Sequence, residues 1–297
     1  AGASGAGGPA GAVAGTGART GLQAASDLVV CAGNDPYAQT LKAIEALGGI
    51  DLFVKKGDRV VLTPNLAFAR LPEQGANTHP RVVRAVIDAC VRAGAARITV
   101  LDHVLDAAAV AFKRNGAEEA VQVTVATLLA PREEGQYQKV DVAGLKVHAA
   151  RGLAQAVARE VLAADALISM PVIKDHDATR FSGALKKVMG VIWERREYHR
   201  AGIHECIAEI STLVRPTLIV ADATRVMQTG GPKGPGEVSK PNHVLCAVDP
   251  VLADAYCCRY LTKDGPLKHT AVLHIVQAAT LLGTRNLGSP KLLEVTA

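Results

Sequence analysis

Short apolar runs, each closed by a polar residue, set the frame of this chain. Leu28–Cys31, Arg59–Thr63, Arg97–Leu101, Ala166–Met170, Thr217–Val220 and His243–Val248 are too brief for buried helices and suit strands. Stretches of helical periodicity separate them. Asp35-Pro36 has the character of a cap and first helical residue and opens a helix to Leu47. Pro80 opens another to Ala93, with Val82, Val83, Val86, Ile87, Cys90 and Val91 on one face. Strand, helix and strand in succession predict a parallel sheet with right-handed crossovers. The expected fold is therefore α/β, a mostly parallel sheet flanked by helices. A first lobe is expected over residues 27–165 and a second over 166–297. The intervening stretch 104–165 predicts a helix over Ala107–Arg114, a strand over Val121–Leu128 and a hairpin of Tyr137–Val142 with Leu145–His148. A helix over Leu153–Ala163 should follow.

Composition bears this out in the core and narrows the partners. Hydrophobic residues make up 49% but aromatics only 3%, so Ala, Val, Leu and Ile must fill the interior. The net charge of +5 comes without a basic block, and few rings are available to stack on bases, so nucleic acid is not expected as a partner. No apolar run approaches the ~20 residues of a membrane span. Residues 1–26 are mostly Ala and Gly and begin without Met, which reads either as the remnant of an export signal or as a flexible tail. The first reading places the protein outside the cytoplasm, in the periplasm or the medium. Ordering such a tail costs much backbone entropy, so an ordered tail would need to pack, and a neighbouring copy in a homo-oligomer would serve. None of the six cysteines forms a C-x2-C pair, which disfavours zinc-ribbon, iron–sulfur and haem sites and leaves buried thiols.

Polar residues stand at strand ends: Asn65, Asp102-His103, Lys174 to His176, Asp222 and Asp249. In open α/β sheets a ligand binds beyond the carboxyl ends of the strands. Asp249 before Pro250 reads as a cap; the others are ligand candidates. The densest stretch is Ile168–His204, with the only Trp and three of the nine His. His176, flanked by Asp175 and Asp177, is a candidate general base or metal ligand; its plainer reading is a solvated loop residue. Lys186 suits nucleophilic use if burial lowers its pKa, and otherwise is a surface cation. Lys187 and Trp193 read as surface and packing residues. His199 and His204 are candidate ligands for a divalent metal. Thr78-His79, before Pro80, either aims at an anion or caps the helix. The Gly230–Gly236 loop carries Lys233; its order is not that of a phosphate loop, and it reads as a shaped cover over a ligand. No dinucleotide fingerprint or nucleophile elbow is present.

Pro64-Asn65, Asn77-Thr78-His79-Pro80, Ser182 to Gly190 and Gly231-Pro232 together resemble the "domain of unknown function 362" family, over roughly Asp27 to Leu261. Some of its members leave the cytoplasm by the twin-arginine route, which the resemblance extends to this chain. Others carry ferredoxin-like cysteines that are lacking here, so no iron–sulfur cluster is implied. A second likeness, in fewer residues, is to the nickel-pincer lactate racemases: His176-x4-Phe181-Ser182-Gly183-x2-Lys186, with His199 beyond. It implies that His176 is a base, Lys186 holds a nickel-pincer nucleotide, His199 ligates nickel and His79 is a second base. Pro64-Asn65 stands where that family has its Asp-x-Thr-Arg substrate segment. Two functional classes follow. One is a metal-dependent isomerase or redox-type enzyme on a small carboxylate, with Asn65, Thr78, Lys174, Asp222 and Lys233 near the ligand. The other is a structural or self-assembling protein on an enzyme-like fold.

Overall fold

The computed structural model describes residue 24 and residues 26–297. The tail expectation thus falls, but for residues 24 and 26, outside the described residues. The strands are β1 (Leu28–Ala32), β2 (Arg59–Pro64), β3 (Arg97–Leu101), β4 (Ala126–Leu129), β5 (Tyr137–Val140), β6 (Gln155–Ala158), β7 (Ala166–Met170), β8 (Val172–Lys174), β9 (Leu218–Met227), β10 (Val238–Ser239), β11 (His243–Ala247) and β12 (Leu292–Thr296). Ten of them form one sheet along β12-β1-β11-β9-β7-β2-β3-β4, with β8 and β10 pairing with β9. Pairing is parallel from β4 through β9, and again between β1 and β12. β11 runs antiparallel between β1 and β9. The fold is α/β with a mostly parallel sheet, as the alternation predicts. Residues 27–165 and 166–297 share this sheet, because β1 pairs with β11 and β12 while β2 pairs with β7.

Helices cover both faces. They are α1 (Pro36–Leu47), α2 (Pro80–Arg92), α3 (Ala108–Asn115), α4 (Ala117–Val121), α5 (Lys146–Ala150), α6 (Arg159–Leu162), α7 (Ala184–Lys187), α8 (Arg195–Ala201), α9 (Ile203–Leu213), α10 (Pro250–Cys257) and α11 (Leu273–Leu282). Side chains alternate across a strand, so β1 sends Val29 and Cys31 to one core and Leu28 and Val30 to the other. The first core includes Ile44 of α1 with Val86 and Ile87 of α2; the second includes Ile207 of α9, Val251 of α10 and Ile275 of α11. Each face thus seals one side of strands that are apolar on both.

The stretch 104–165 departs from expectation. β5 pairs with β6, and the segment expected to be its partner is α5. The cause is long-range: Glu209 of α9 accepts from Val147 N at 2.7 Å and His148 N at 3.0 Å, and His148 Nδ1 meets its carboxylate at 2.8 Å. The helix expected over Leu153–Ala163 is β6 followed by α6. The strand expected over Val121–Leu128 begins only at Ala126. β9 runs on to Met227, so Asp222 lies within the strand and not beyond its end.

Candidate functional site

The site is built around the exit of β7. Pro171 breaks that strand, and β8 leaves alongside β9. Asn65 and Thr78 hold this joint. Asn65 Oδ1 accepts from Val172 N at 2.9 Å, and Thr78 Oγ1 donates to Met170 O at 2.7 Å and accepts from Asn65 N at 2.9 Å. Asp222, fully buried, accepts from His79 N at 2.7 Å and Arg225 Nη1 at 2.6 Å, with Thr224 on its other oxygen. Burial pushes its carboxyl up, but Arg225, His79 and these bonds outweigh burial and leave it below its ordinary value. His79 caps α2 by accepting from Arg81 N at 3.1 Å. Burial, then Arg225, push its imidazole down to about 4. Asn65, Thr78, His79 and Asp222 thus brace the backbone at this corner.

Beyond β8 the charges change sign. Lys174 is buried, donates to Ala76 O at 2.5 Å and lies 5.2 Å from the centre of the Phe68 ring. Burial, then Lys186, bring it down to about 7. His176 is 7% exposed, and its Nδ1 lies 2.9 Å from Asp177 Oδ1. Ala178 N approaches both groups, at 2.7 Å to the carboxylate and 3.2 Å to the ring. Nδ1 accepts the bond from Ala178 N, so in the neutral ring the proton lies on Nε2. Burial, then the charges of Lys186 and Lys174, push His176 down to about 2. It is a neutral imidazole.

Lys186 is half-buried on α7. Among the described residues its recorded hydrogen bond is to Met189 Sδ at 3.6 Å. Burial, then Arg195, bring its amine down to about 8, against the opposing pull of Asp177. The neighbouring Lys187 was expected at the surface; it is buried instead. Its Nζ meets Asp102 Oδ1 at 2.7 Å, with both side chains nearly excluded from solvent. Asp102 also accepts from Leu66 N at 2.7 Å. A Cβ at Gly190 would run into both members of this pair. Trp193 packs on Tyr137, ring centres 5.2 Å apart.

His199 is exposed on α8, whereas His204 turns toward α11. His204 Nδ1 lies 3.0 Å from Nδ1 of the wholly buried His274, and the rings stack. Burial, then His204 and Lys186, push His274 down to about 3. Among the described residues no three His, Cys, Asp or Glu come together to hold a metal ion. A metal at His199 would therefore need other ligands from a second bound group. Lys233 pairs with Asp106 at 2.9 Å, and its loop leans on the β8 exit. Gly231 abuts the Asp175 backbone where a Cβ would collide. Beside it opens a cleft of about 490 Å³, lined by Asp175, His176, Asp177, Arg180, Gln228 and Lys268 among others.

The structure thus brings His176, Lys186, Lys174 and His199 into one electropositive neighbourhood and gives His79 a different set of neighbours. Sequence reasoning left out His274 and Asp254. His274 sits in an apolar helix with no motif around it. Asp254 of α10 is fully buried, its carboxyl pushed up to about 7 by burial, and it accepts from Ala184 N and Leu185 N at the start of α7.

Residues 60–259 match the family described as "Domain of unknown function (DUF362)". The chain belongs to this family. The DUF362 match takes in His79, His176, Lys186, His199 and Asp254 and stops short of His274. Over 199 residues the chain is 25% identical to a thylakoid-associated protein of Synechocystis, covering 64% of this chain and 59% of that relative's length. Among solved structures, the lactate racemase apoprotein of Thermoanaerobacterium thermosaccharolyticum matches with a TM-score of 0.50 and 13% identity, covering 79% of this chain and 57% of that one. At that identity the likeness is one of fold. A Thermotoga maritima protein of known structure matches at 17% identity with a TM-score of 0.41, over 69% of this chain and 55% of that one.

Proposed function

We propose that this DUF362 domain is an enzyme of racemase or related redox type that binds a small carboxylate beside Lys186 and uses His176 as its base. One observation carries the reading: a neutral histidine that lines a cleft, within electrostatic reach of a half-buried lysine that has no carboxylate bonded to it. Unpaired cations in a partly dry site favour an anion, and the low effective dielectric strengthens that attraction. Lys186 and Arg195 supply the charge; the neutral His176 imidazole takes up the proton from the substrate. The bond from Ala178 N to Nδ1 fixes the ring. The shared fold with a lactate racemase supports a 2-hydroxy acid as substrate.

Lys186 also suits the covalent attachment of a nucleotide, because no ion pair competes for its amine. Such a group would supply a hydride acceptor. His199 is the candidate for a metal carried by that group. The experiment is intact and peptide mass spectrometry of the protein from its native source, metal analysis of the same sample, and chiral chromatography of D- and L-lactate incubated with it. The expected result is interconversion of the enantiomers that is lost in His176→Gln. Interconversion equal in His176→Gln and the parent protein would overturn the reading.

A further inference from the structure

We infer that Asp254 is a positioning residue of this site: its carboxylate fixes the turn that presents Lys186. The inference rests on the functional reading above for its purpose, but not for its geometry. α7 has only four residues, Ala184–Lys187, too few to stand by local hydrogen bonding. The first N–H groups of a helix have no partner within it and need acceptors from elsewhere. Asp254 comes from α10, far along the chain, and supplies both. Its Oδ1 accepts from Ala184 N at 2.6 Å and its Oδ2 from Leu185 N at 2.9 Å. The carboxylate is 1% exposed, and among the described residues its recorded hydrogen bonds are these two.

The approach is close enough to dictate the residue before the helix. A Cβ at Gly183 would collide with Asp254 Oδ1 and with the Phe181 ring. Ser182, one residue earlier, is tied to Lys174 by two backbone bonds, Ser182 N to Lys174 O at 2.9 Å and Lys174 N to Ser182 O at 3.4 Å. The far end of α7 is held by the Lys187–Asp102 pair. The turn is thus clamped at its start by one buried carboxylate and at its end by another. Lys186 is the cation between these clamps that neither carboxylate engages. Asp254 also fills the start of α7 with a carboxylate of the chain's own. A ligand anion is thereby left to Lys186.

An Asn at position 254 would keep one acceptor and turn an N–H toward a backbone N–H. The test is amine acylation of Lys186 in the full-length protein, quantified by peptide mass spectrometry across pH, with exposed Lys113 as internal reference. Lys186 should react with a midpoint well below that of Lys113. Asp254→Asn should loosen the turn and rehydrate Lys186, whose midpoint burial holds down, and so raise that midpoint by about one unit, roughly a tenfold loss of reactivity at neutral pH, with Lys113 unmoved. An unchanged Lys186 midpoint in folded Asp254→Asn overturns the inference. If that variant does not fold, hydrogen exchange of the unmodified protein decides. Protected Ala184 and Leu185 amides support the clamp, and amides exchanging at loop rates overturn it. Neither readout involves lactate. A chain inert toward 2-hydroxy acids would remove the proposed function and leave the Asp254 result to stand or fall by itself.

Discussion

His176 is shaped by its neighbours more than by its own chemistry. Burial and a ring of positive groups, Lys186 and Lys174 foremost, hold its imidazole neutral far below the ordinary titration range. A carboxylate ligand would add a negative charge beside the ring, and an opposite charge within a few ångströms favours the protonated form. Saturation with oxalate should therefore raise the His176 pKa by about one unit or more, read by NMR titration of the imidazole resonances. The same addition should leave His243 unmoved, since its downward shift comes from burial and it lies near Glu294 and Tyr260, away from the lysines. A His176 resonance that titrates identically with and without oxalate would separate this residue from the ligand.

At the scale of elements, the short turn of α7 depends on buried pairs more than on helix propensity. Lys187→Ala would strand the Asp102 carboxylate in the interior, at a cost of about 3–5 kcal/mol. Replacing both partners with apolar residues should recover much of that loss, because no charge is then left alone; denaturant unfolding of the single and double variants checks both statements. Gly190→Ala should also destabilise, since the new methyl meets both partners. These elements show where sequence reasoning works and where it stops. β1, α1, α2 and β3 are legible because each carries its own period and its own cap, as with Asp35 before Pro36. Lys187 was not legible: two adjacent lysines read alike, and the one that is buried is selected by Asp102, 85 positions away. α5 failed for the same reason, since its anchor Glu209 lies on α9. His176 and Lys186 stand out in the sequence through their motif, but the Asp254 contact to α7 leaves no local signal.

Across the whole molecule, several buried groups are held uncharged, and this sets how stability varies with pH. The folded-state values of His176 (about 2), His274 (about 3), and His79 and His103 (about 4) lie below the ordinary histidine value. The unfolded chain therefore binds more protons as pH falls through about 6.5. Stability is retained above that pH and lost below it, by up to about 1.4 kcal/mol per pH unit for each histidine. Lys174 acts in the same direction at higher pH: its folded value is about 7, so the unfolded chain binds more protons between there and the ordinary lysine range, and stability rises with pH across that window. Thermal unfolding between pH 4 and 9 should show both slopes, the acid one shallower in His274→Phe; a flat profile would contradict the neutral, buried assignment. His176, one of these neutral groups, lines the cleft. The most direct measurement is a calorimetric titration of oxalate into the full-length protein and into Lys186→Ala and His176→Gln. Saturable binding of one oxalate, weakened about tenfold or more in Lys186→Ala and less in His176→Gln, is the predicted result. Absence of saturable binding, or equal affinity in all three proteins, would contradict a carboxylate site at Lys186.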